Sequence, residues 1–465
     1  MNFTSDIVIG LEIHVQLNTK TKLFCSCPTQ GSEEPNTRTC EVCLGMPGSK
    51  PVLNKAALEY ALKLALALEC EISSNLTFSR KSYFYPDLAK NYQISQYEIP
   101  LGIKGKLHLK SGKTIGITRV HMEEDPAALV HPNGMVDSKF VLIDYNRSGN
   151  PLCEVVTEPE LTSPDEARDF MKQLIAVLNY LKIFDQDNCI IKADANISIK
   201  EKDYTRVEIK NITGFKEIER ALNYELERQK REDVVQETRA WDAETGVTRS
   251  LRKKETEEEY GYIIDPDLTT TKIEDSLINK IKQDLPELAR DKALKFVEKH
   301  KIREEDALVL SQEKELAELF EKAVEHVSPT LAVSWIRHEL NRVLNYNKKS
   351  LEEVKLDEVQ LINLLKLIEK KTITENVAQK ILEKLIEESF DVEDYVKENK
   401  LNAVSDSGEL KTLCEEAIKE SSKAVEDYKS GNEKAFHAIV GVVMRKTRGA
   451  ANPAEVQKII KELLE

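Results

Sequence analysis

The chain has 465 residues, 41% of them hydrophobic and 32% charged, and its 67 Lys and Arg against 81 Asp and Glu give a formal net charge of −14. That length predicts about three domains with ample material for a core, and the acidic balance excludes nucleic-acid binding through bulk positive charge, though not through a local basic patch. No apolar run reaches the ~18–20 residues of a membrane span, and Met1 to Gly10 contains no basic residue ahead of an apolar stretch, so it does not read as a signal peptide.

Asp6 to Leu17 alternates strictly. Ile7, Ile9, Leu11, Ile13, Val15 and Leu17 fall on one side; Val8, Gly10, Glu12, His14 and Gln16 fall on the other, the period of a strand with one buried face. Asn54 to Cys70 switches to a helical pattern with Asn54 as its cap. Lys104 to Val120 reads as a hairpin turning at Ser111-Gly112. Ser163-Pro164-Asp165-Glu166 is a helix start: Ser163 caps, Pro164 fits the first position and Glu166 closes a capping box. Two more strands follow, Ile190 to Ile199 and Thr205 to Lys210. From about Asp275 to Leu401 helical periodicity dominates, and Val404 to Gly408 reads as a linker or cap. The last segment predicts two short helices flanking a third, which runs from about Glu433 to Arg448 and stops at Gly449; Asn452-Pro453 opens the final one.

Eight cysteines in a chain of this length are no disulfide framework, and the expected location is the cytoplasm. Four of them, Cys25, Cys27, Cys40 and Cys43, form two close pairs whose connecting loop holds Gly31, Pro35 and Asn36. Four soft ligands on tight loops suit a closed, structural Zn²⁺ site; four free thiols or a redox pair is the competing reading. Cys70, Cys153, Cys189 and Cys414 sit in apolar contexts and read as core.

The strands carry unusual polar faces. One shows Glu12, His14 and Gln16; another Lys192, Asp194, Asn196 and Ser198; a third Arg206, Glu208 and Lys210. His121-Met122-Glu123-Glu124-Asp125 adds an acidic cluster, and Glu154 lies between apolar neighbours. On one sheet these residues would put carboxylates and imidazole, which take a hard cation, beside cations that hold phosphate oxygens. A solvated sheet face would give the same alternation. Arg80 to Asp87 mixes cations with three aromatics, suited either to stacking on a nucleotide or to a part-buried loop. Ser111-Gly112-Lys113-Thr114 imitates the end of a phosphate-binding loop, but Leu107 stands where its first glycine belongs and the segment reads as a hairpin turn. Near the C-terminus Arg445, Lys446 and Arg448 end a helix, with Lys429 and Lys434 close in sequence; they complement a helix dipole or an RNA backbone equally well.

At Ile9 to Leu17, Arg80 to Asp87, Tyr92 to Tyr97, His121 to Asp125, Asp144 to Arg147, Asp194 to Asn196, Val207 to Asn211 and Val440 to Pro453 the sequence closely resembles the B subunits of glutamine-dependent aspartyl/glutamyl-tRNA amidotransferases, nearly end to end. The resemblance implies an α+β fold. A cradle-shaped, glutamine-synthetase-like catalytic domain (1–290) would be followed by an all-α helical domain (291–405) and a small helical tail that binds tRNA (406–465). It implies ATP and Mg²⁺ as cofactors, misacylated Asp-tRNA or Glu-tRNA as substrate, and as partners the amidase (A) and small (C) subunits of the same amidotransferase. His14, Glu124 and Glu154 would hold Mg²⁺ with Glu12, Asp194 and Glu208 nearby. Lys81 and Lys90 would line an ammonia route or contact phosphate, Lys192, Arg206 and Lys210 would contact the nucleotide, and Lys429, Lys434, Arg445, Lys446 and Arg448 the tRNA. Three departures from the family pattern, at Ala193, at Glu259 to Asp265 and at Ala450, leave the metal positions untouched. The alternatives are a carboxylate–amine ligase acting on a small molecule and a non-enzymatic tRNA-binding scaffold. No amidase motif is present, so glutamine hydrolysis falls to another chain.

Overall fold

Strand β1 (Ile7–Gln16) forms where the alternation predicts it. Ile9, Leu11, Ile13 and Val15 are almost wholly buried in one apolar cluster. The structure is a computed structural model and describes residues 5–132, 138–253, 260–349, 351–354, 356–403, 407–430, 433–447 and 449–464. The chain divides into two compact units, Met1–Leu288 and Ala289–Glu465.

In the first unit β1 is joined by β2 (Glu71–Ile72), β3 (Gly102–His108), β4 (Thr114–Glu124), β5 (Pro151–Thr157), β6 (Ile191–Ile199), β7 (Val207–Thr213), β8 (Glu237–Asp242) and β9 (Val247–Lys253). They make one nine-stranded sheet in the order β9-β8-β7-β6-β1-β5-β4-β3-β2. Every neighbouring pair is antiparallel except β7 and β8, which run parallel. A parallel pair needs a crossover, and helix α3 (Phe215–Arg231) supplies it. Helices α1 (Lys55–Ala67) and α2 (Pro164–Leu181) share the buried cluster with α3: Leu62 and Leu64, Phe170 and Leu174, Ile218 and Leu222 pack with the inward residues of β1. One sheet face is therefore dry, and the alternate residues are committed to the other.

The predicted helix starts hold, with one change. Asn54 accepts from the Ala56 and Ala57 amides, and Ser163 Oγ accepts from Glu166 N–H. The Glu166 carboxylate does not close the box on Ser163. It accepts from the Thr162 amide and from Lys113 Nζ at 2.7 Å, so the lysine of the false phosphate loop is an anchor for α2. The hairpin turns at Gly112, whose φ of +84 suits glycine.

The second unit is helical throughout its described residues. Helices from Ala289–His300 to Val392–Glu398 surround one core that includes Phe296, Phe320, Trp335, Leu365 and Leu382. The last segment departs from the prediction of three helices: Ser407–Glu420, Ser422–Lys429, Glu433–Lys446 and Pro453–Leu464 make four around a second core of Cys414, Phe436, Ile439, Val443 and Val456. Ser407 and Gly408, expected in a linker, open the first of them; Val404 to Asp406 lie outside the described residues. Thr374 Oγ1 donates to the Gly449 carbonyl at 2.6 Å, and Ala450 is buried in the larger core, so the turn before the last helix is tied to the helices preceding it.

Among the glycines of the sheet Gly105 has the least room for a side chain. A Cβ at Gly105 would sit 2.4 Å from Cys70 Sγ and 2.7 Å from the Leu68 carbonyl oxygen, whereas one at Gly112 meets nothing within 4 Å. Gly105→Ala should cost about 1–3 kcal/mol through overpacking, and Gly112→Ala only about 1 kcal/mol through its left-handed backbone. Thermal midpoints of the two variants should rank in that order.

Candidate active site and metal centre

The outward face of β1 and its neighbours assembles the site. Register sets it: Glu12 lies opposite Asp194, His14 opposite both Glu154 and Lys192, Glu154 opposite His121, and Asn196 opposite Glu208. Residues in register across a sheet have side chains on the same face. Five strands thus place carboxylates, imidazoles and lysines in one row on one face, where His14, Glu123, Lys192, Asp194 and Lys210 line a cavity of about 770 Å³ together with Lys81, Tyr83, Asp125, Arg147 and Tyr260.

At one end of the row His14 Nδ1 is 3.1 Å from Glu123 Oε1 and 3.9 Å from Glu154 Oε2. His121 Nε2 reaches Glu154 Oε2 at 3.2 Å. Ligand atoms of His14, Glu123 and Glu154 all lie within 4.8 Å of one another, close enough to hold one cation. Burial opposes charge on His14, but the hydrogen bond to Glu123 and the charge of Glu154 outweigh it and raise its pKa to about 10. Burial likewise opposes ionisation of Glu154, yet His121, with His14 and Arg119 behind it, holds that carboxyl below the usual range.

Glu124, which the family resemblance groups with His14 and Glu154, is placed elsewhere. Its carboxylate accepts from Lys90 Nζ at 2.5 and 2.6 Å and from the Ile94 amide at 2.8 Å. Adjacent strand residues project to opposite faces, so Glu123 and not Glu124 shares the face of His121. The signal was available in the acidic run itself: counting by twos from His121 arrives at Glu123 and then at Asp125, whose carboxyl is raised to about 6 by burial against the pull of Arg147.

Farther along the row Lys210 Nζ bridges Asp194 at 2.7 Å and Glu208 at 3.0 Å. Burial disfavours its charge, but the two carboxylates more than compensate and raise its pKa. Glu12 accepts from Asn196 Nδ2 at 3.0 Å, and burial first, then Glu154 and Glu208, push its carboxyl up. Lys192 lines the cavity, and burial followed by repulsion from Arg147 lowers its pKa. Arg206 does not join them: it precedes β7 and is exposed.

The Arg80 to Asp87 segment divides its labour. Arg80 is taken up by Asp265 at 2.8 Å, Asp267 at 3.0 Å and the face of Tyr92. Lys81 sits 4.7 Å from the Tyr260 ring centroid, and Tyr83, Phe84, Tyr85 and Asp87 line the cavity. In the tail Lys446 is paired within its own unit to Glu416 at 3.0 Å and Glu420 at 2.6 Å. Lys434 and Arg445 lie on the same helix, Glu433–Lys446. Lys429 ends the preceding helix, and Arg448 lies outside the described residues.

The four predicted cysteines converge. Sulfur atoms of Cys25, Cys27, Cys40 and Cys43 all lie within 4.8 Å, with Cys40 and Cys43 at 4.0 Å. Zn–S bonds of about 2.3 Å put tetrahedral sulfurs about 3.8 Å apart, so the cluster fits a metal such as zinc with little adjustment. The Cys25 hydrogen bond first, then the Cys40 amide and the charge of Lys22, lower Cys43 to about 5 against the effect of burial. Burial first raises Cys27 to about 12. Cys70, Cys153, Cys189 and Cys414 are buried, as expected.

Comparison with known proteins agrees with this organisation. Residues 7–279 match the family described as the GatB/GatE catalytic domain, and residues 318–464 that described as the GatB domain. The B subunit of the aspartyl/glutamyl-tRNA(Asn/Gln) amidotransferase of Carboxydothermus hydrogenoformans is 41% identical over 474 residues, covering 99% of this chain and 98% of its own. Its namesakes from Thermodesulfovibrio yellowstonii and Thermotoga maritima are each 42% identical over 475 residues; the first covers 99% of both chains and the second 98% of both. A match of this depth over both units leaves one assignment: the chain belongs to the GatB/GatE family.

Proposed function

We propose that the chain is the ATP-dependent B subunit of a tRNA-dependent amidotransferase, a ligase that converts Asp or Glu misacylated onto tRNA into Asn or Gln for protein synthesis. The observation that carries this reading is the mixed-charge row on the sheet face, on a chain similar over its whole length to proteins of that name. A carboxylate is a poor electrophile because its leaving group would be oxide. Its oxygen attacks the γ-phosphorus of ATP, ADP departs, and the side chain becomes an acyl phosphate. Ammonia then attacks the acyl carbon, phosphate leaves, and an amide remains once a proton is lost.

Each part of the site has a place in that scheme. His14, Glu123 and Glu154 are the residues whose geometry suits Mg²⁺, which when bound neutralises charge on the phosphoryl oxygens. Lys192 and Lys210, on the same face, suit the remaining phosphate oxygens. Asp194 and Glu208 set the field that keeps Lys210 charged, and Glu12 stands opposite Asp194. Lys81 beside Tyr260, and Lys90 on Glu124, suit the path of ammonia from a glutaminase partner. The first unit would form a glutamine-synthetase-like cradle for this chemistry, and Lys434 and Arg445 in the tail would face tRNA. A small-molecule ligase has no need of the helical unit that this chain shares with its relatives. The partners are the amidase (A) and small (C) subunits, met in the cytoplasm; no helix among the described residues is long and apolar enough to cross a membrane.

Glu123→Gln and Glu154→Gln should each lower ATP- and glutamine-dependent amidation at least about a hundredfold while leaving tRNA binding intact. Glu124→Gln should act through Lys90 and leave Mg²⁺ affinity unchanged. Amidation assays on the assembled complex with Asp-tRNA and Glu-tRNA, together with Mg²⁺ titrations, check both; full activity in Glu123→Gln would exclude the cation site. Metal analysis of the purified chain should find about one zinc, lost in Cys40→Ser.

A further inference from the structure

Lys22 is the largest charged side chain wholly withdrawn from solvent among the described residues. Its Nζ donates to two acceptors: Cys43 Sγ at 3.7 Å and the Tyr145 carbonyl at 3.2 Å. Neither is a carboxylate. A buried ammonium is costly unless negative charge faces it. Cys43 Sγ is the cluster atom that faces it, and four thiolates around one divalent cation carry a net charge of −2. The chemistry of Lys22 therefore fits the metal-loaded cluster.

Its second acceptor leads to the cavity. The turn from Asp144 to Asn150 is clamped to the cysteine loop along its length. The Tyr145 amide donates to Asn36 Oδ1 at 2.7 Å, the Arg38 amide to Asn146 Oδ1 at 2.8 Å, Ser148 Oγ to the Cys43 carbonyl at 3.2 Å, and the Leu23 amide to the Gly149 carbonyl at 2.8 Å. Arg147 projects from this turn to the cavity wall. There its guanidinium donates to the Pro126 and Ala127 carbonyls at 3.0 and 2.7 Å and lies 3.4 Å from Asp125. Asp125 is tied to the same turn through Gly149 and Asn150.

The geometry points to Lys22 as a positioning residue that couples the cysteine cluster to the cavity: the loaded cluster fixes Lys22, Lys22 fixes the Tyr145 carbonyl, and the turn then presents Arg147 to an anionic substrate. Arg147 stands near Lys192 on the wall, and two cations there suit phosphate oxygens. The inference rests on the ATP-dependent reading above.

Mg·ATP dissociation constants and the rate of zinc transfer to a chromophoric chelator, measured on the full chain, test it. Lys22→Met should release zinc faster and weaken Mg·ATP, each by about tenfold. Arg147→Met should weaken Mg·ATP to the same extent with zinc release unchanged. The double variant should bind Mg·ATP no more weakly than Arg147→Met alone, a non-additivity that general destabilisation would not produce. Lys22→Arg, which keeps the cation, should restore zinc retention. If Lys22→Met does not fold, Asn146→Ala, which cuts the clamp and leaves the cysteines alone, must weaken Mg·ATP with zinc retained. Additive losses in the double variant, or wild-type Mg·ATP affinity in Lys22→Met, would overturn the coupling. A wild-type chain that binds no Mg·ATP would overturn the functional reading along with it.

Discussion

A strand that commits every second residue to a dry core has no freedom over the rest. In β1 the inward residues Ile9, Leu11, Ile13 and Val15 pack beneath α1, α2 and α3, and a shift of one residue would bury Glu12 and His14 among them. The hydrophobic register therefore fixes the polar register. Because β1 lies between β5 and β6, its two neighbours inherit the same phase, which brings Glu154 and Asp194 beside His14 and Glu12. The positions of the charged row follow from apolar packing on the far side of the sheet.

Packing so many ionisable groups on one face carries a cost that the arrangement offsets by alternating sign. Carboxylates at Glu123 and Glu154 face two imidazoles, and those at Asp194 and Glu208 share one lysine. Glu12, held by the neutral amide of Asn196, bears the residual repulsion and is pushed toward its neutral form. A polar surface of mixed sign with short side chains is poorly suited to protein contact. It is well suited to a ligand that itself combines a cation with several anionic oxygens. The tail uses its charge differently: on its surface Lys446 is paired to Glu416 and Glu420, which leaves fewer unpaired cations for a nucleic-acid backbone than its composition suggests.

Sequence periodicity made β1, β6, the hairpin of β3 and β4 and the starts of α1 and α2 legible, because each buries apolar residues at a regular interval. It passed over α3, although Ile218, Leu222 and Leu226 recur there at helical spacing, and it was blind to β8 and β9 for a physical reason. Where these three meet, the buried side chains are ionic: Glu225 and Arg228 of α3 interlock with Glu237 and Arg239 of β8 and Thr248 of β9. A core made of salt bridges looks like surface in a hydropathy pattern. The cysteine cluster was legible because its ligands are close in sequence. The place of Glu123 beside His14 was obscured by a second carboxylate next to it, and that of Arg147 because the turn that carries it is clamped by a loop about a hundred residues away.

The place of β1 between β5 and β6 also has a consequence for how the polypeptide is made. β1 leaves the ribosome before either of its partners: Glu12 to Gln16 pair with residues 152–156 and Ile7 to Val15 with residues 191–199. Until translation has passed Thr157 the strand that carries His14 has an apolar flank and both edges unpaired, and until Ile199 one edge stays open, the hallmark of a segment prone to pairing with the wrong neighbour. The cysteines, by contrast, need nothing beyond residue 43 to close around an ion. During synthesis the four cysteines can therefore meet long before the central strand gains its partners, while the turn from Asp144 to Asn150 that clamps their loop is still unmade.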